Sequence, residues 1–597
     1  MTATSIKSGG LATFVVKVGG TQVPDTLRIF SVHIEKRVNR ISKAKIVILD
    51  GESNTGKFDA SSSATFVPGG ELTVEGGYDS NNQLIFKGII TQQSIRIDAL
   101  IGSALEVECR DAAVKMIVGR KSVTYAKKKD SDIISSIIGS YPGLSSSVTA
   151  TTTVWPEQVQ YYVSDWDFIL ARAEENGMIV TTLNGKVTVA KPGAASTPVL
   201  SVGYGDDLLE FNADLNSITQ LASVKASTWD YKTQKLASQQ AQNDVAGPGN
   251  LSSKKLSGVI GLSQYELQTP ANIGSEDLTT WSKAQMIKSE YSKIRGEAKF
   301  QGNNLVEPAK YITLTGLGDR FNGDHFISGV VHHFADGNWI TEVSVGLQFS
   351  WFTEEPDVMA PPAAGLLPGA RGLFTGTVKK MYEDPDSQFR VLVDIPLFDA
   401  NGEGIWARLS NFYSTNGAGA FFMPEVGDEV VLGFLNEDPR YPIILGSMYS
   451  STKLVPFKGL TPDQKNSKKA IVSKSGIYIE FDDDQKVFTI TTPGKNTVIL
   501  SDKDKKITVQ DENNNSIIMS SSGIAMKSPK DISIEGQNIN LKATQGIKVA
   551  ASGGDVSISG VNIKEKAQAQ YSAEGSATAK VSAGGQLTLK AAMIMIN

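Results

Sequence analysis

The last 125 residues of the chain, 473–597, repeat one short pattern that restricts the possible folds more than any other feature. Two apolar residues at positions i and i+2 recur, separated by Gly, Ser, Asn, Asp and Lys. The interval between pairs starts near ten residues and settles at seven to nine. A fixed-period repeat of short strands and turns predicts a β-solenoid or an interwound β-helix. The pairs are Ile477/Ile479, Phe488/Ile490, Val498/Leu500, Ile507/Val509, Ile517/Met519, Ile524/Met526, Ile532/Ile534, Ile539/Leu541, Ile547/Val549 and Val556/Ile558.

Two apolar residues per repeat form a stripe that is too narrow to enclose the core of a single-chain solenoid. A single chain would also expose a ladder of unpaired backbone groups, which natural proteins avoid. Identical chains wound around one axis would bury the stripe and pair those edges. We therefore predict a thin homotrimeric rod, a triple-stranded interwound β-helix, whose core contains Ile507, Val509, Ile524, Ile532, Ile534, Ile539, Leu541, Ile547 and Val549.

The first 350 residues are predicted to be mainly β, with two helices. Phe30, Val32 and Ile34 alternate with polar residues, as do Leu72 and Val74 and then Leu105, Val107 and Cys109, which is typical of half-buried strands. Cys109 shares a face with apolar neighbours and is predicted to be a core residue.

Local signals mark the two helices and one hairpin. Ser164 with Asp167 resembles a capping box, and Gly177 suits the end of that helix. Asn184-Gly185 lies between alternating segments and predicts a type I′ hairpin. A second helix is predicted after Ser275, whereas residues 235–275 are predicted to be a long loop or an excursion because they are rich in Gln, Ser, Gly and Asn.

Changes in composition divide the chain further. Four of the 22 prolines fall in residues 354–369, which predicts a linker after a first region, 1–353. Residues 370–455 read as short strands with turns at Asn401-Gly402 and at Pro424–Asp428, typical of a small closed barrel. A second linker is placed at 456–472, before the repeat of 473–597.

The charge and the scarcity of reactive side chains exclude several classes of function. The net charge is −5, so the chain is not a basic protein that clamps nucleic acid. Because the chain has one cysteine and four histidines, it cannot form an intramolecular disulfide or a cysteine-based zinc site. We therefore assign no catalytic residue, no metal and no cofactor, and predict that the protein is not an enzyme. The N-terminus lacks the apolar core of a signal peptide, and no apolar run is long enough to span a bilayer.

Three motifs resemble ligand-binding sites, but we favour a structural role for each. Residues 51–58 nearly match a phosphate-binding loop, but Phe58 replaces the required hydroxyl residue, so a solvated turn is favoured. His332 and His333 are adjacent in a predicted strand and therefore point to opposite faces. His33 is predicted on a polar sheet face. The acidic run 482–484 lacks the glycine turn of a calcium loop and is predicted to be a hairpin tip.

The barrel segment resembles the OB-fold domain of VgrG-type spike proteins. The residues that carry this resemblance include Trp406, Arg408, Pro424, Gly427, Asp428, Gly433 and Gly446. Residues 281–302 and 318–334 are similar to the hub region of the same family, and residues 161–180 are similar to one of its helices. The order tail-hub-like barrels, OB-fold barrel and β-helix fits nearly the whole chain.

The resemblance implies a homotrimeric central spike at the tip of the inner tube of a contractile injection system. Its implied partners are an Hcp-like tube, baseplate proteins, a PAAR-like tip protein, effector cargo and, mechanically, the target membrane. It also implies assembly in the bacterial cytoplasm without a signal peptide, as part of a secreted particle or a type VI apparatus. The spacing between barrel and rod is too short for the lysozyme domain of phage relatives. The alternative, from another class, is a trimeric phage tailspike or fibre that binds or degrades surface carbohydrate.

The chain terminus carries a final expectation. Three copies of Met593, Ile594, Met595, Ile596 and Asn597 would gather a dozen large apolar side chains at the end of the rod. An exposed apolar patch of this kind usually marks a binding surface. We therefore expect a separate PAAR-like protein to cap this end. The alternative is that the three tails seal the rod by themselves.

Overall fold

The computed structural model describes residues 4–5, 10–99, 102–193, 196–399, 402–451, 453–455 and 463–596. The chain divides into two compact units, Met1–Met448 and Tyr449–Asn597. The architecture is mainly β and contains a closed five-stranded barrel, as the sequence predicts. The C-terminal strands form an antiparallel sheet, whereas the sequence analysis predicts a triple-stranded interwound β-helix. No helix among the described residues is long and apolar enough to cross a membrane.

The first lobe of the molecule comprises residues 12–110 and is built from alternating strands. The predicted alternation is confirmed for Val32, Ile34, Val107 and Cys109, which are all fully buried in one core, whereas Phe30 is exposed. Burial raises the pKa of the Cys109 thiol to about 12, which agrees with a packing role. The elements of this lobe are β2 (Ala12–Val18), β3 (Thr21–Gln22), β4 (Ile29–Arg37), β5 (Lys43–Leu49), α1 (Asp59–Ser62), β6 (Glu71–Tyr78), β7 (Asn81–Asp98) and β8 (Gly102–Arg110), and the short strand β1 (Thr4–Ser5) precedes them.

A small α+β segment follows and has its own core. The predicted capping box is confirmed, because the Asp167 N–H donates to Ser164 Oγ over 3.1 Å and the Ser164 hydroxyl donates to Asp167 over 2.6 Å. The hairpin at Asn184-Gly185 is also confirmed, with φ of +56° and +83°. The elements are a 3-10 helix (Ala112–Met116), β9 (Lys121–Lys129), α2 (Asp130–Gly139), β10 (Ser145–Val148), β11 (Val154–Val163), α3 (Asp165–Glu175), β12 (Ile179–Leu183) and β13 (Lys186–Ala190).

The second lobe comprises residues 198–215 and 294–345 and shares one 14-stranded sheet with the first, because β4 pairs antiparallel with β21. Phe334 and Trp339 of this lobe complete the core of the first lobe. The elements are β14 (Pro198–Gly203), β15 (Leu208–Leu215), β19 (Ile294–Gln301), β20 (Tyr311–Thr315), α6 (Gly318–Phe321), β21 (Gly323–Ala335) and β22 (Asn338–Val345).

The prediction of a long loop over residues 235–275 is wrong. This stretch belongs to an insertion between β15 and β19, formed by β16 (Ser223–Asp230), β17 (Lys235–Gln242), α4 (Ser253–Ile260), β18 (Tyr265–Thr269) and α5 (Ser275–Tyr291). The polar composition suggested a loop, but β17 is an edge strand of a three-stranded sheet, and an edge strand tolerates polar residues on its exposed face. Helix α5 begins at Ser275, one residue earlier than predicted, and packs on β16 and β17.

The segment between the second lobe and the barrel is held by hydrogen bonds to residues that precede it in the chain. The indole N–H of Trp351 donates to Gln285 over 2.5 Å, and the Phe352 N–H donates to Glu174 over 2.7 Å. The Arg120 guanidinium donates to the carbonyls of Asp357 and Met359 over 2.8 and 2.9 Å. Two 3-10 turns, Phe352–Glu354 and Pro362–Gly365, lie in this segment. The proline-rich stretch is therefore anchored in the part of the chain that contains both lobes and the barrel.

The barrel closes in the order β23-β24-β25-β29-β28, and this order places its fifth strand beside its third. Its apolar core contains Val378, Val391, Val393, Ala407, Val430, Leu432 and Ile444. The elements are β23 (Phe374–Lys380), β24 (Val391–Asp394), β25 (Ile405–Leu409), β26 (Ser414–Thr415), β27 (Ala418–Gly419), β28 (Glu429–Phe434), a 3-10 turn (Leu435–Glu437) and β29 (Pro442–Ser447).

The second unit starts with a seven-stranded antiparallel sheet in sequential order. Its strands are β30 (Lys468–Val472), β31 (Tyr478–Asp482), β32 (Val487–Thr491), β33 (Thr497–Ser501), β34 (Lys506–Gln510), β35 (Ser516–Ser520) and β36 (Gly523–Lys527). The acidic run 482–484 lies at the tip between β31 and β32, as predicted. From residue 528 to residue 596 the described chain contains neither helix nor strand, and its side chains are exposed nearly throughout.

Candidate assembly surfaces

One face of the C-terminal sheet carries two unbroken columns of apolar side chains. Each strand contributes its second and fourth residues, except that Lys469 occupies the second position of β30, and the register places the apolar residues directly opposite one another. The first column is Ile471, Ile479, Ile490, Val498, Val509, Ile517 and Met526, and the second is Phe481, Phe488, Leu500, Ile507, Met519 and Ile524. Cross-strand apolar pairs stabilise a sheet, but this face remains open in the single chain.

The predicted rod-core residues are all solvent-accessible in the single chain. Ile507 and Val509 are 38% and 41% exposed within the sheet, and Ile524 is 72% exposed. The remaining six lie beyond the last strand and are each at least half exposed, namely Ile532, Ile534, Ile539, Leu541, Ile547 and Val549. The structure aligns the first three in the apolar columns and does not bring the other six into a core. Their predicted role at a trimer axis stays a prediction.

The predicted tip residues are likewise open. Met593, Ile594, Met595 and Ile596 are all exposed. Asn597 lies outside the described residues. The end of the described chain is therefore apolar and accessible to solvent.

The residues that carry the barrel resemblance have structural roles. Gly427 adopts φ +86°, which glycine tolerates best, in a turn where the Asp428 carboxylate accepts the Glu425 N–H over 2.9 Å. Pro424 is buried at the start of that turn. Gly433 and Gly446 pair with the opposite strand between β28 and β29, Trp406 pairs with Leu392, and Arg408 pairs with Ile443. These residues build the barrel and do not converge on one ligand site.

The two lobes share a strand order that sequence inspection missed. If each lobe's six main strands are numbered along the chain, both lobes read 1-4-5-6-3-2: β2-β6-β7-β8-β5-β4 in the first and β14-β20-β21-β22-β19-β15 in the second. The first strands differ in direction, since β2 is antiparallel to β6 whereas β14 is parallel to β20. The other five strands correspond in order and in direction.

Two matching pairs of β-bulges strengthen this correspondence. The β4–β5 ladder shifts register between Ile29 and Ser31, and the β15–β19 ladder shifts between Leu208 and Glu210. The β7–β8 ladder shifts between Ile90 and Gln92, and the β21–β22 ladder shifts between Ile327 and Gly329. Because a bulge fixes local bend and twist, matching bulges indicate that the lobes are two copies of one structural unit.

A polar cluster is buried where the lobes meet. His332 and Trp339 lie on adjacent strands, with ring centroids 5.8 Å apart, and His332 Nδ1 is 3.0 Å from the Thr341 hydroxyl. Burial, and then the charge of Lys36, lowers the pKa of His332 well below its usual range. Burial also lowers the pKa of Lys36 to about 8, against the attraction of Glu307. His333 points to the exposed face, as predicted, and its ring lies 6.0 Å from that of His33.

The sites that the sequence analysis rejected remain unsupported. Among the described residues no group of three or more His, Cys, Asp or Glu side chains could hold a metal ion. The phosphate-loop-like segment is an exposed turn closed by an isolated bridge between Glu52 and Lys57.

Family models match both parts of the first unit. The model described as "Alg8 N-terminal domain" matches residues 8–336, which is more than half of the chain. The model described as "Type VI secretion system/phage-baseplate injector OB domain" matches residues 374–449. The second match covers the closed barrel and confirms the resemblance to VgrG-type spike proteins.

The curated relatives include type VI spike proteins from two bacteria. The type VI secretion system spike protein VgrG1a of Pseudomonas aeruginosa is 24% identical over 216 residues, which is 34% of this chain and 33% of that protein. VgrG1b of the same organism is 27% identical over 124 residues, covering 20% and 17%. VgrG3 of Vibrio cholerae is 38% identical over 60 residues, covering 10% and 6%. The alignments therefore span at most a third of these relatives.

Solved structures that are similar to this chain include phage tail proteins and a secretion system component. A 43 kDa tail protein of prophage MuSo2 from Shewanella oneidensis has a TM-score of 0.44 at 11% identity, covering 56% of this chain and 98% of that one. An Escherichia coli component of the type VI secretion system has a TM-score of 0.38 at 12% identity, covering 72% and 99%.

Proposed function

Because the chain belongs to the Alg8 N-terminal domain family and its barrel matches the injector OB domain, we propose that it is the central spike of a contractile injection system. In this role it sits at the tip of the inner tube and joins the tube and baseplate to a needle that punctures a membrane. The relatives whose names state a role are spike proteins. The proposed function is mechanical and does not include a chemical reaction.

The observation that carries this proposal is the pair of apolar columns on the C-terminal sheet. Thirteen apolar side chains lie along one face of seven strands, and eight of them are exposed in the single chain. Burying apolar surface contributes roughly 25 cal/mol per Å², so a sheet with such a face favours association. Three copies whose columns face one axis would form a closed prism, and residues 528–596 would continue it as the needle.

The two lobes support the attachment to a tube. Each chain presents two copies of one structural unit, so a trimer would present six similar surfaces. A six-fold tube could then be matched by a three-fold spike. We propose that residues 1–353 form this adaptor and contact Hcp-like tube and baseplate proteins, with the barrel of 370–455 between the adaptor and the needle.

Assembly without membrane insertion completes the proposal. The spike would be made in the bacterial cytoplasm and become part of a secreted particle or a type VI apparatus. Effector cargo would travel with it.

The oligomeric state tests the central proposal. Sedimentation of the purified full chain at micromolar concentration should give about three times the mass of 63.9 kDa, and electron microscopy should show a thin needle on a broad base. A well-folded monomer, or a bulky fibre without a needle, would contradict it.

The tip is proposed to bind a PAAR-like protein. The exposed Met593, Ile594, Met595 and Ile596 of three copies would form its apolar seat. Pull-down of a candidate tip protein by the full chain should succeed, and removal of residues 591–597 should abolish it. Equal recovery with both chains, or no binding by either, would favour tails that seal the rod unaided.

A further inference from the structure

Two of the four histidines lie directly opposite each other on the polar face of the shared sheet. His33 of β4 is the register partner of His333 of β21, and their ring centroids are 6.0 Å apart with 62° between the ring planes. The other two histidines, His325 and His332, are at most 1% exposed. The imidazoles that solvent can reach are therefore gathered at one place.

This histidine pair spans the joint between the two lobes. Strand β4 belongs to the first lobe and β21 to the second, and their antiparallel ladder covers residues 31–37 and 329–335. His33 and His333 lie inside that ladder. A ligand that binds both imidazoles would therefore connect the lobes through side chains, in addition to the backbone hydrogen bonds of the ladder.

The spacing of the two rings suits a single metal ion. Directly opposed residues of antiparallel strands have Cβ atoms about 4.5–5.5 Å apart. Metal–nitrogen bonds of about 2.0–2.1 Å in tetrahedral geometry would hold the ring centroids about 5 Å apart. The observed separation of 6.0 Å is slightly wider, and His333 is exposed, so a rotation of its side chain can close the difference.

Both imidazoles are available as ligands. Within the described part of the chain, neither ring of the pair makes a hydrogen bond. A metal-bound histidine must be neutral before it binds. Burial, and then the neighbouring charge of His333, lowers the pKa of His33, which favours the neutral form.

The charged neighbours of the pair are engaged with one another. Lys45 lies opposite His33 on β5, but its ammonium is 2.7 Å from Glu106. Glu35, on the same face of β4, is 2.8 Å from the ammonium of Lys43. The pair therefore offers two nitrogen ligands and leaves the other coordination positions to water. This agrees with the finding that no group of three or more such side chains forms a metal site among the described residues.

We propose that His33 and His333 chelate one divalent late first-row metal ion, of the Zn²⁺ and Cu²⁺ class, and that this ion braces the joint between the lobes. Imidazole nitrogen is a preferred ligand of these metals. A metal that binds the folded chain but not the unfolded chain stabilises the folded state. The site is complete within one chain, so it does not depend on the proposed spike or on its oligomeric state.

Copper binding tests the chelate. Cu²⁺ is the probe because imidazole sites bind it most tightly among these metals. The untagged full chain, stripped with a chelator, should bind one Cu²⁺ per chain, and pulsed electron paramagnetic resonance should detect two imidazoles. His33→Gln and His333→Gln should each weaken binding more than about tenfold and leave at most one imidazole. Lys45→Gln keeps both imidazoles and is the matched control, which should bind as the native chain does.

Zinc tests the brace. Zn²⁺ should raise the midpoint of thermal unfolding of the native chain and leave that of His33→Gln and His333→Gln unchanged. A second measurement needs no substitution: Zn²⁺ should protect His33 and His333 together from carbethoxylation in the native chain, as read by peptide mass spectrometry.

The outcomes separate this inference from the proposed function. No Cu²⁺ binding, a signal from one imidazole in the native chain, or binding that both glutamine variants retain would overturn the chelate. Equal effects of Zn²⁺ on the unfolding of the native chain and of both variants would overturn the brace. None of these results changes the mass of the assembly, which tests the proposed spike separately.

Discussion

At the scale of single residues, buried polar groups hold the two lobes and the insertion together. The Lys293 ammonium donates to the carbonyls of Ala246, Pro248 and Leu251 over 2.6 to 3.0 Å, and burial lowers the pKa of Lys293 to about 8. His332 is fully buried between the lobes. Such groups are costly to bury unless they are satisfied, so each one is a position where a single substitution has a large effect.

His332 should make the hub sensitive to acid. Its pKa in the folded state lies below the unfolded value of about 6.5, so the unfolded state binds more protons and stability falls as pH drops below that value. At pH 5.5 the loss should approach 1.4 kcal/mol, about one pH unit of linkage. Thermal melting at pH 7.5 and 5.5 should show a smaller shift for His332→Gln than for the native chain. The exposed neighbour His333→Gln is the control, and an equal shift in both variants would contradict the assignment.

Lys293 should control the order of the insertion. Lys293→Met leaves three carbonyls without their donor, which should cost roughly 1–3 kcal/mol and open residues 246–251 locally. Limited proteolysis should then cut this loop faster than in the native chain. Lys254→Met, at an exposed position of α4, is the matched control. Unchanged cleavage in Lys293→Met would show that other contacts suffice.

At the scale of elements, the alternation of side chains in the C-terminal strands decides which face associates. In β34, Val509 belongs to an apolar column, while its neighbour Gln510 points to the opposite face. The same alternation explains why the strands are stable as a sheet yet incomplete as a single chain. It also gives pairs of adjacent positions that separate association from folding.

Val509→Asp should dissociate the proposed trimer, because three carboxylates would enter the apolar interior that the columns would form. Gln510→Asp introduces the same charge one residue away on the other face and should leave the mass unchanged. Sedimentation of both variants at several concentrations measures the effect. Equal masses for the two variants would show that the columns do not face the association axis.

At the scale of the whole molecule, the division at Met448 separates two units with different needs. The first unit has apolar cores of its own in both lobes, in the α+β segment and in the barrel. The second unit has an open apolar face and a long segment without strands. The first unit should therefore fold independently, whereas the second should depend on partner chains.

A chain that ends at Met448 should keep its fold and lose the needle. Its cooperative thermal transition should lie within a few degrees of the hub transition of the full chain, because the cores of the lobes and the barrel are intact. Calorimetry and electron microscopy would measure both properties. Aggregation or loss of the transition would show that the second unit is needed for the first to fold.

Local signals in the sequence were sufficient for the elements they specify. The capping box at Ser164, the hairpin at Asn184-Gly185 and the turn at Pro424–Asp428 each follow from the chemistry of a few adjacent residues, and each is present. The apolar pairs of the repeat likewise determined that the C-terminal strands have one apolar face, because side chains alternate along a strand whatever its surroundings.

Only the tertiary structure decided how the hub is built. The order 1-4-5-6-3-2 joins strands that are distant in the chain, and the equivalent strands have different sequences, so no periodicity along the chain records it. The polar stretch of 235–275 became strands and a helix because neighbouring elements pair with it and pack against it. Sequence determines what is encoded within a few residues, whereas pairing between distant strands depends on which edges the folded chain brings together.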